Sequence, residues 1–407
     1  MDVYYHRIEG FHGLDSIKGI ERYGKRAAAL CNWEDVLLLD YYPGIKIPIE
    51  EIELLNTAGL GPKPQNIFAV NFSSSQTWEQ NLQKNREVIE TLEKFPLKRF
   101  MPFTSKSPVV HDLVKHLNIE YTFCTKELAF WGEDKGSLIE LGQKYGHVPL
   151  GFTCHSKSEF IEAWQRLAAR DDFTGEAVIK PFQGASGLLS TIVKDKDGVE
   201  AFVSNHELPG GGVIQEWHSF VASPSINYWV HDNEIEELFI SDQIFEDAPP
   251  AYGKEGTCIH RGNVFPSNCS RDVIEKIRNY ARPIVEDFMQ RGYCGPIGFD
   301  TVVTKQQQVW IVEANPRVTG PHYGYFAAKK KKAAAFRLSN EQIKEGTTPQ
   351  QLYQHLQDLF LTKEGSEGYF IYNFSNGKFT GVVLGKSREN IDHIYTVLQQ
   401  KLREIRD

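Results

Sequence analysis

The chain has 407 residues, of which 41% are hydrophobic and 24% are charged. This composition is ordinary for a water-soluble globular protein with room for two or three domains. The formal net charge of −8 excludes a global basic field of the kind that holds nucleic acid or an anionic membrane. Any polyanionic ligand must therefore be met by a local group of positive charges.

The cellular setting is indicated by what the sequence lacks. Its six cysteines are widely spaced and form no CxxC pair, so neither a zinc site nor a redox pair is indicated. The first ten residues lack the basic and apolar regions of a signal peptide, and the longest aliphatic run, at 36–39, is too short to span a bilayer. We expect a cytoplasmic protein without nucleic-acid or membrane partners; a homo-oligomer remains open.

Residues 1–130 predict a small α/β domain. Strand-like runs and helical patterns alternate here, which favours a parallel sheet. The predicted strands lie at 36–39, 67–70, 99–103 and 119–123, and the predicted helices at 77–93 and 108–116. The second helix opens with Ser107 as N-cap and Pro108 at the first helical position.

The rest of the chain reads as α+β. Residues 131–211 combine helices after 135 and around 158–170 with strands at 176–180 and 188–193. Residues 212–330 hold strands at 212–217, 226–230 and 234–245, a helix at 270–290, and strands at 297–303 and 308–313. Residues 331–407 form a C-terminal extension with strands at 369–374 and 379–384 and a helix opening near Ser387. The lysine run at 329–332 is interpreted as a solvated loop or helix end.

A glycine-rich turn follows a lysine at the end of a predicted strand. Lys180 ends the strand, and Gly184, Ala185, Ser186 and Gly187 form a turn before the next strand begins. Glycines let backbone N–H groups approach a phosphate closely, and the lysine adds a positive charge. On its own, the segment is equally compatible with an ordinary hairpin turn.

The strand near 213–220 could bind an adenine base. Gln215, Glu216, Trp217 and His218 lie where the strand emerges, so that the backbone edge and an acidic side chain could contact the base. Alone, the segment also fits a plain amphipathic strand. Lys135 and Arg261 are two further candidates for contacts with phosphate or carboxylate, and each could equally be a solvent-facing charge.

Two carboxylates and an amide follow each other on two predicted neighbouring strands. If the strands are antiparallel, Asp300 lies opposite Glu313, with Asn315 on the same face. Oxygen ligands of this kind suit Mg²⁺, and burying a carboxylate at the end of an apolar strand is costly without a cation. Arg317 follows and could neutralise the charge on a transferring phosphoryl group.

Taken in order, these segments resemble the ATP-grasp superfamily over about residues 130–320. The motifs are DK at 134–135, IKP with the Gly/Ser turn at 179–187, QEW at 215–217, GFD at 298–300 and EANPR at 313–317. The resemblance implies two α+β lobes that grip ATP, preceded by a small α/β preATP-grasp domain.

The resemblance also assigns roles to these residues. Lys135 and Lys180 become phosphate-binding lysines, Glu216 and the backbone of Trp217 the adenine hinge, and Arg317 the arginine at the acyl phosphate. Asp300, Glu313 and Asn315 become the Mg²⁺ ligands. One departure concerns the ribose, because the positions where many members carry an acid are Ser223 and Pro224 here, and Asn227 could take a polar role instead.

The expected activity is ATP-dependent joining of a small carboxylate to an amine through an acyl phosphate, with ADP released. The architecture is most similar to the peptide-forming ligases of natural-product pathways, and the acid could be an amino acid, a peptide or a carrier-bound acyl group. Two alternatives remain open: a bicarbonate-using carboxylating or carbamoylating relative, and an ATP-binding regulatory module without turnover. We look for acceptor recognition at 319–323, directly after the metal strand.

Overall fold

The structure is a computed structural model with three β-sheets. It describes residues 1–8, 20–42, 44, 48–182, 190–206, 208, 210–231, 233–245, 260–375 and 377–405. The sheets have five, four and eight strands within these residues. None of the helices in these ranges is long and apolar enough to cross a membrane.

The N-terminal domain is an α/β unit with a parallel sheet, as predicted. Its strands follow the order β3-β2-β1-β4-β5, and they are β1 (Asp2–Tyr5), β2 (Val36–Asp40), β3 (Ile67–Val70), β4 (Arg99–Pro102) and β5 (Glu120–Tyr121). The α-helices are α1 (Ile49–Thr57), α2 (Trp78–Lys84), α3 (Arg86–Leu92) and α4 (Pro108–Leu117), and a 3₁₀ helix covers Ile20–Ala29. The central strand β1 was not predicted.

One helix predicted in this domain is in fact two. The break falls at Asn85, whose backbone leaves the helical region at φ −114° and ψ 19°. Its side chain accepts a hydrogen bond from the N–H of Asn71 and donates one to the carbonyl of Asn81. The asparagine thus satisfies backbone groups at the end of β3 and in α2, and this long-range contact interrupts the helix.

A four-stranded antiparallel sheet forms the small lobe. Its order is β6-β9-β7-β8, with β6 (Gly151–Cys154), β7 (Ala177–Pro181), β8 (Thr191–Val193) and β9 (Gly212–Glu216). Two helices precede it, α5 (Lys126–Glu133) and α6 (Lys135–Tyr145), and two accompany it, α7 (Lys157–Ala168) and α8 (Lys196–Asn205). The assignment of β9 to the large lobe was wrong, because β9 pairs with β6 and β7.

The large lobe is built on an eight-stranded antiparallel sheet. The strand order is β14-β13-β10-β11-β12-β15-β17-β16. The strands are β10 (Pro224–His231), β11 (Glu234–Phe245), β12 (His260–Phe265), β13 (Gly295–Val303), β14 (Val309–Asn315), β15 (Ala335–Gln342), β16 (Gly368–Ser375) and β17 (Lys378–Gly385). The helices are α9 (Arg271–Gln290), α10 (Gly320–Lys331), α11 (Pro349–Leu356) and α12 (Arg388–Arg403).

The C-terminal residues are thus an integral part of the large lobe. Strands β15, β17 and β16 continue its sheet, and Ser387 caps α12 by accepting from the N–H of Asn390, as its sequence predicted. Ile391, Leu398 and Leu402 on α12 are buried in the adjoining core. The burial of this apolar stripe explains why the terminal helix docks on the sheet.

The lysine run at 329–332 is the end of α10, as predicted, and its outer members Lys329 and Lys332 are exposed. The two inner lysines are only partly exposed, and Lys330 Nζ donates to the carbonyls of Leu30 and Cys31 at 2.5 and 2.7 Å. Burial lowers the pKa of this amine to about 8. Lys331 donates to the carbonyl of Ala58 at 3.0 Å. These lysines therefore tie the large lobe to the N-terminal domain by satisfying carbonyls that would otherwise lack donors.

Gly262 allows the C-terminal strands to join the sheet of the site. A Cβ at this position in β12 would lie 1.9 Å from the carbonyl oxygen of Leu338 in β15. We expect Gly262→Ala to destabilise the protein by about 2 kcal/mol or more, because backbone would have to move. Gly320→Ala is the matched control, since its Cβ would meet nothing closer than 3.8 Å. Denaturant unfolding measures both, and equal stabilities would contradict the assignment.

Candidate active site

Two carboxylates face each other at the edge of the large sheet. Asp300 in β13 pairs with Glu313 in β14, and Gly298 pairs with Asn315, so the predicted register is confirmed. Asn315 Nδ2 donates to Asp300 Oδ2 at 3.1 Å. Opposed residues of antiparallel strands share a face. The two carboxylates and the amide therefore lie on one face, within reach of a common ligand.

The opposite face of these strands is sealed. Ile297, Phe299 and Ile311 are fully buried there and pack into a core with residues of α9 such as Ile277 and Ile284. This packing fixes both strands, so the polar face is presented on a rigid support. Such support is what keeps a binding constellation in its geometry.

The two carboxylates are held in different electrostatic environments. Burial, together with the charge of Glu313, raises the pKa of Asp300 to about 6, although hydrogen bonds from Ser225 and Gln243 oppose the rise. Burial also disfavours the charged form of Glu313, but Lys135, Lys180 and Arg317 outweigh it and bring the pKa of Glu313 below its ordinary value. Asp300 is thus the carboxylate that lacks a sufficient countercharge.

The donor set fits a hard divalent cation such as Mg²⁺. Two carboxylates and one amide oxygen are the ligand types that Mg²⁺ takes, and a cation would supply the charge that Asp300 lacks. Within the described residues, no group of three or more His, Cys, Asp and Glu side chains could hold a metal ion. The Asp300–Glu313–Asn315 site therefore differs from zinc centres, which take histidine and cysteine ligands.

Two lysines from outside the large lobe reach β14. Lys135 is the first residue of α6, and its Nζ donates to Glu313 Oε1 at 2.9 Å. Asp134 fixes this helix start by accepting from the N–H of Gly136 at 2.7 Å. Lys180 in β7 donates to Gln215 Oε1 at 3.1 Å and to the carbonyl of Val312 at 3.2 Å. Both lysines thus lie against the strand that carries Glu313.

The glycine-rich turn lies outside the described residues. This concerns Gly184, Ala185, Ser186 and Gly187. The flanking strands β7 and β8 are antiparallel partners, so the predicted pair of strands is confirmed. The role of the turn in phosphate binding stays a prediction.

The predicted hinge residues differ in what their side chains contact. Gln215 joins β9 to Lys180 and, through Nε2, to the carbonyl of Pro149. The carboxylate of Glu216 is buried and accepts hydrogen bonds from Arg170 and from the N–H of Thr174, both at 3.1 Å. In this structure, Glu216 therefore holds the small lobe together, and an adenine contact by its side chain stays a prediction.

The next residues belong to a cluster of mostly aromatic side chains, called the aromatic cluster below. The backbone N–H of Trp217 donates to the carbonyl of Glu176, and the carbonyl of Trp217 accepts from Thr174 Oγ1. His218 stacks on Trp310 of β14 with ring centroids 4.6 Å apart and planes 6° apart. Burial lowers the pKa of His218. Among the described residues, His218 Nε2 and Trp310 Nε1 are buried without a hydrogen-bond partner, as expected where a ligand would supply one.

The aromatic cluster and the carboxylates share one face of the sheet. A β-bulge follows Asp300, and beyond it Val302 pairs with Trp310. Because Asp300 and Val302 are two residues apart, Trp310 lies on the same face as the carboxylates. The aromatic cluster is completed by side chains from both lobes, namely Trp217, Phe220, Phe245 and Val312. Trp310 and Phe245 were not among the predicted site residues, because plain alternation in β14 would place Trp310 on the face opposite Glu313.

Arg317 lies next to the carboxylates, whereas Arg261 lies farther away. Arg317 follows β14 directly, and its Nε is 3.5 Å from Glu133 Oε1. It is close enough to Asp300 and Glu313 to lower the pKa of each. Arg261 lies in β12, three strands from β13, which is about 14 Å at the usual strand spacing. Its predicted catalytic role is not tested.

The side chains considered for contacts with the acceptor and the ribose are buried. His322 and Tyr323, expected near an acceptor, are 0% and 1% exposed, and Tyr323 pairs with His6 of the N-terminal domain through its hydroxyl, 2.9 Å from Nδ1. These two side chains pack between the large lobe and the N-terminal domain, and acceptor recognition at 319–323 stays a prediction. Asn227 is also 0% exposed and lies over Gly298, where a Cβ would be 2.8 Å from its Oδ1.

The raised pKa of Asp300 makes a stability prediction. The folded protein holds a proton on Asp300 up to about pH 6, whereas the unfolded chain loses it near pH 4. Wild-type stability therefore falls as the pH rises through this window. We expect Asp300→Asn to stabilise the metal-free protein by up to about 2 kcal/mol at pH 7.5 and by less at pH 4.5.

Unfolding in EDTA at both pH values measures this difference. Asp171→Asn is the control, because Asp171 is exposed and its substitution should change stability little at either pH. A loss of stability for Asp300→Asn at pH 7.5 would contradict the electrostatic assignment.

Comparison with known proteins identifies the domain and the fold. Residues 153–321 match the ATP-grasp domain family, and no curated protein matches the chain by sequence. Similar solved structures are N5-carboxyaminoimidazole ribonucleotide synthetase from Thermus thermophilus (TM-score 0.62, 12% identity, 100% of this chain and 99% of that one) and L-amino acid ligase from Bacillus licheniformis (0.59, 13%, 98% and 96%). A carboxyaminoimidazole ribonucleotide synthase from Aspergillus clavatus, solved with ATP, also matches (0.56, 12%, 91% and 99%). Residues 153–321 thus form an ATP-grasp domain, and the whole chain has the ATP-grasp fold preceded by a parallel-sheet domain.

Proposed function

We propose that the protein is an ATP-dependent carboxylate–amine ligase that works through an acyl phosphate and releases ADP and phosphate. The observation that carries the proposal is the Asp300–Glu313 pair, with Lys135, Lys180 and Arg317 around it. A non-catalytic ATP-binding module would not need a set of metal ligands together with an arginine at the reacting end. The combination of these groups therefore favours an enzyme that cleaves ATP during its reaction over a protein that only binds ATP.

The shared face of the large sheet suits a nucleoside triphosphate. The aromatic cluster offers rings on which the base could stack, and the carboxylates with the lysines offer a site for the phosphates. Trp310 and Glu313 are three residues apart, about 10 Å along a strand, a distance that the nucleotide can span. The ATP-bound structure from Aspergillus clavatus shares the fold, which supports ATP as the nucleotide.

In the proposed reaction, Lys135 and Lys180 hold the phosphates, and Arg317 offsets charge on the transferring group. A bound Mg²⁺, held by Asp300, Glu313 and Asn315, would neutralise phosphate charge and orient the triphosphate. A substrate carboxylate oxygen attacks the γ-phosphorus, and ADP leaves. The amine then attacks the acyl carbon, loses a proton, and phosphate leaves with the carboxylate oxygen.

This reaction needs no protein nucleophile, and the cysteines discussed next are poorly suited to act as one. Burial raises the pKa of Cys124 and Cys154 to about 12 and also raises the pKa of Cys31 and Cys269. These thiols stay protonated at neutral pH and are poor nucleophiles. Catalysis by positioning and charge stabilisation is therefore the mechanism that the described residues support.

The substrates other than ATP are the acid that is activated and the amine that accepts it. The Thermus thermophilus synthetase and the Bacillus licheniformis ligase match with nearly equal TM-scores, 0.62 and 0.59. At 12% and 13% identity, these likenesses show the fold alone. We propose an amino acid, a peptide or a carrier-bound acyl group as acid, and a small amine as acceptor.

ADP release with panels of amino acids, with and without bicarbonate, tests the proposal. Amine-dependent ADP formation and trapping of an acyl hydroxamate by hydroxylamine are the expected results. Bicarbonate-dependent ADP formation without an amino acid would favour the carboxylating alternative. Tight ATP binding with no ADP under any condition would favour the non-catalytic module.

Glu313→Gln tests the metal site within this reaction. The variant keeps the shape of the side chain but removes a charged ligand, so we expect Mg²⁺-dependent ADP release to fall at least about 100-fold. The circular-dichroism spectrum should be unchanged. Glu237→Gln is the control, because Glu237 is also a strand carboxylate in an ion pair, with Arg278. Near-normal turnover by Glu313→Gln would refute the assignment of the ligand.

Trp310→Ala tests whether the aromatic cluster binds the base. Loss of base stacking is expected to weaken ATP and ADP binding by about tenfold, since stacking on an aromatic side chain contributes about 1–3 kcal/mol. Binding of inorganic tripolyphosphate should change little, because it has no base. Calorimetric titration measures all three ligands, and Trp33→Ala, a change at a half-exposed position of the N-terminal domain, is the control. If tripolyphosphate binding weakened as much as ATP and ADP binding, Trp310 would not be the residue on which the base stacks.

A further inference from the structure

A buried ion pair joins the N-terminal domain to the end of α5. Lys106 lies in the loop after β4, and its Nζ is 2.8 Å from Glu133 Oε2; the two side chains are 0% and 5% exposed. The ammonium also lies 5.0 Å from the centre of the Phe130 ring. Burial lowers the pKa of Lys106, and Glu133 opposes that shift. Burying such a pair is costly and weak evidence for a purely stabilising role.

The other oxygen of Glu133 faces Arg317. Glu133 Oε1 lies 3.5 Å from Arg317 Nε and accepts from Thr104 Oγ1, also at 3.5 Å. The guanidinium of Arg317 lies 5.9 Å from the centre of the Phe103 ring, and the N–H of Val318 donates to the carbonyl of Phe103 at 3.1 Å. The loop from Phe103 to Lys106 and the carboxylate of Glu133 therefore lie around the side chain of Arg317.

The distribution of charge explains why Arg317 needs this partner. Arg317 is attracted by the metal-site carboxylate Glu313, which instead forms its 2.9 Å ion pair with Lys135. Arg317 and Lys135 both repel the ammonium of Lys106. Glu133 lies between Lys106 and Arg317, with one carboxylate oxygen toward each. It therefore gives Arg317 a countercharge other than Glu313.

We propose that Glu133 is a positioning residue for Arg317, and that buried Lys106 fixes Glu133, so that the N-terminal domain completes the reaction centre. This inference rests on the proposed function, in which Arg317 meets the transferring phosphoryl group. Both Lys106 and Glu133 lie outside the matched domain, residues 153–321. The expected consequence is a selective effect on the γ-phosphate, transmitted through Arg317.

Calorimetric titration with Mg²⁺-AMP-PNP and Mg²⁺-ADP tests this role without knowledge of the substrates. The ratio of the two affinities reports contacts to the γ-phosphate. We expect Arg317→Ala and Glu133→Gln each to lower the ratio about tenfold, which equals about 1.4 kcal/mol, while ADP affinity changes less than about twofold. The double variant should be no worse than Arg317→Ala, because the two side chains would act as one unit.

A matched control separates positioning from stability. Asp287 is another buried carboxylate with a lysine and an arginine, Lys144 at 2.6 Å and Arg291 at 2.5 Å. Asp287→Asn should lower the melting temperature but leave the affinity ratio unchanged. Should Glu133→Gln fail to fold, Glu133→Asp withdraws the carboxylate by one methylene, keeps its charge, and is expected to lower the ratio by a smaller factor.

The outcomes that would overturn the inference are distinct from failure of the proposed function. An unchanged ratio in a folded Glu133 variant, or additive losses in the double variant, would show that Glu133 does not act through Arg317. Equal loss of AMP-PNP and ADP affinity would give Glu133 a structural role only. If the wild-type protein bound neither nucleotide, the proposed function and this inference would both be refuted.

Discussion

The apposition of Asp300 and Glu313 is the constraint on which the rest of the site depends. Two carboxylates on facing strands repel each other, and both are buried enough for desolvation to oppose their ionisation. Such an arrangement persists only when the strands are held by packing behind them and by cations in front. The core beneath β13 and β14, with its helix α9, supplies the packing.

The cations come from elements that are far apart in the sequence. Lys135 starts α6, Lys180 lies in the small lobe, and Arg317 follows β14 and contacts Glu133. Each lobe contributes charge to a strand of the large sheet, so the site exists only when the lobes come together. This division concentrates positive charge at one place although the net charge of the chain is −8.

Local sequence signals predicted the parts that depend on local physics. The pairing of Asp300 with Glu313 followed from strand alternation, and the helix starting at Lys135 was predicted from its sequence. Other features depend on long-range contacts that one sequence does not reveal. The central strand β1 has a polar first residue and no aliphatic run, and β9 joined the small lobe through pairing with β6 and β7.

The same limit applies to the site itself. Trp310 joins the aromatic cluster because a β-bulge after Asp300 brings it to the polar face, and a bulge has no clear local signal here. Glu133 and Lys106 are separated by 27 positions in sequence and meet only after folding. Lys330 looked solvated because lysines usually are, whereas the neighbouring domain offers it backbone carbonyls.

The central claim is that a substrate carboxylate takes the γ-phosphoryl group of ATP. Transfer of ¹⁸O tests this most directly, with an acid that supports ADP release labelled in both carboxylate oxygens. If an acyl phosphate forms and an amine displaces phosphate, one ¹⁸O atom per turnover must appear in the released phosphate, as detected by ³¹P resonance or mass spectrometry. Phosphate without ¹⁸O, released together with amide product, would contradict the account.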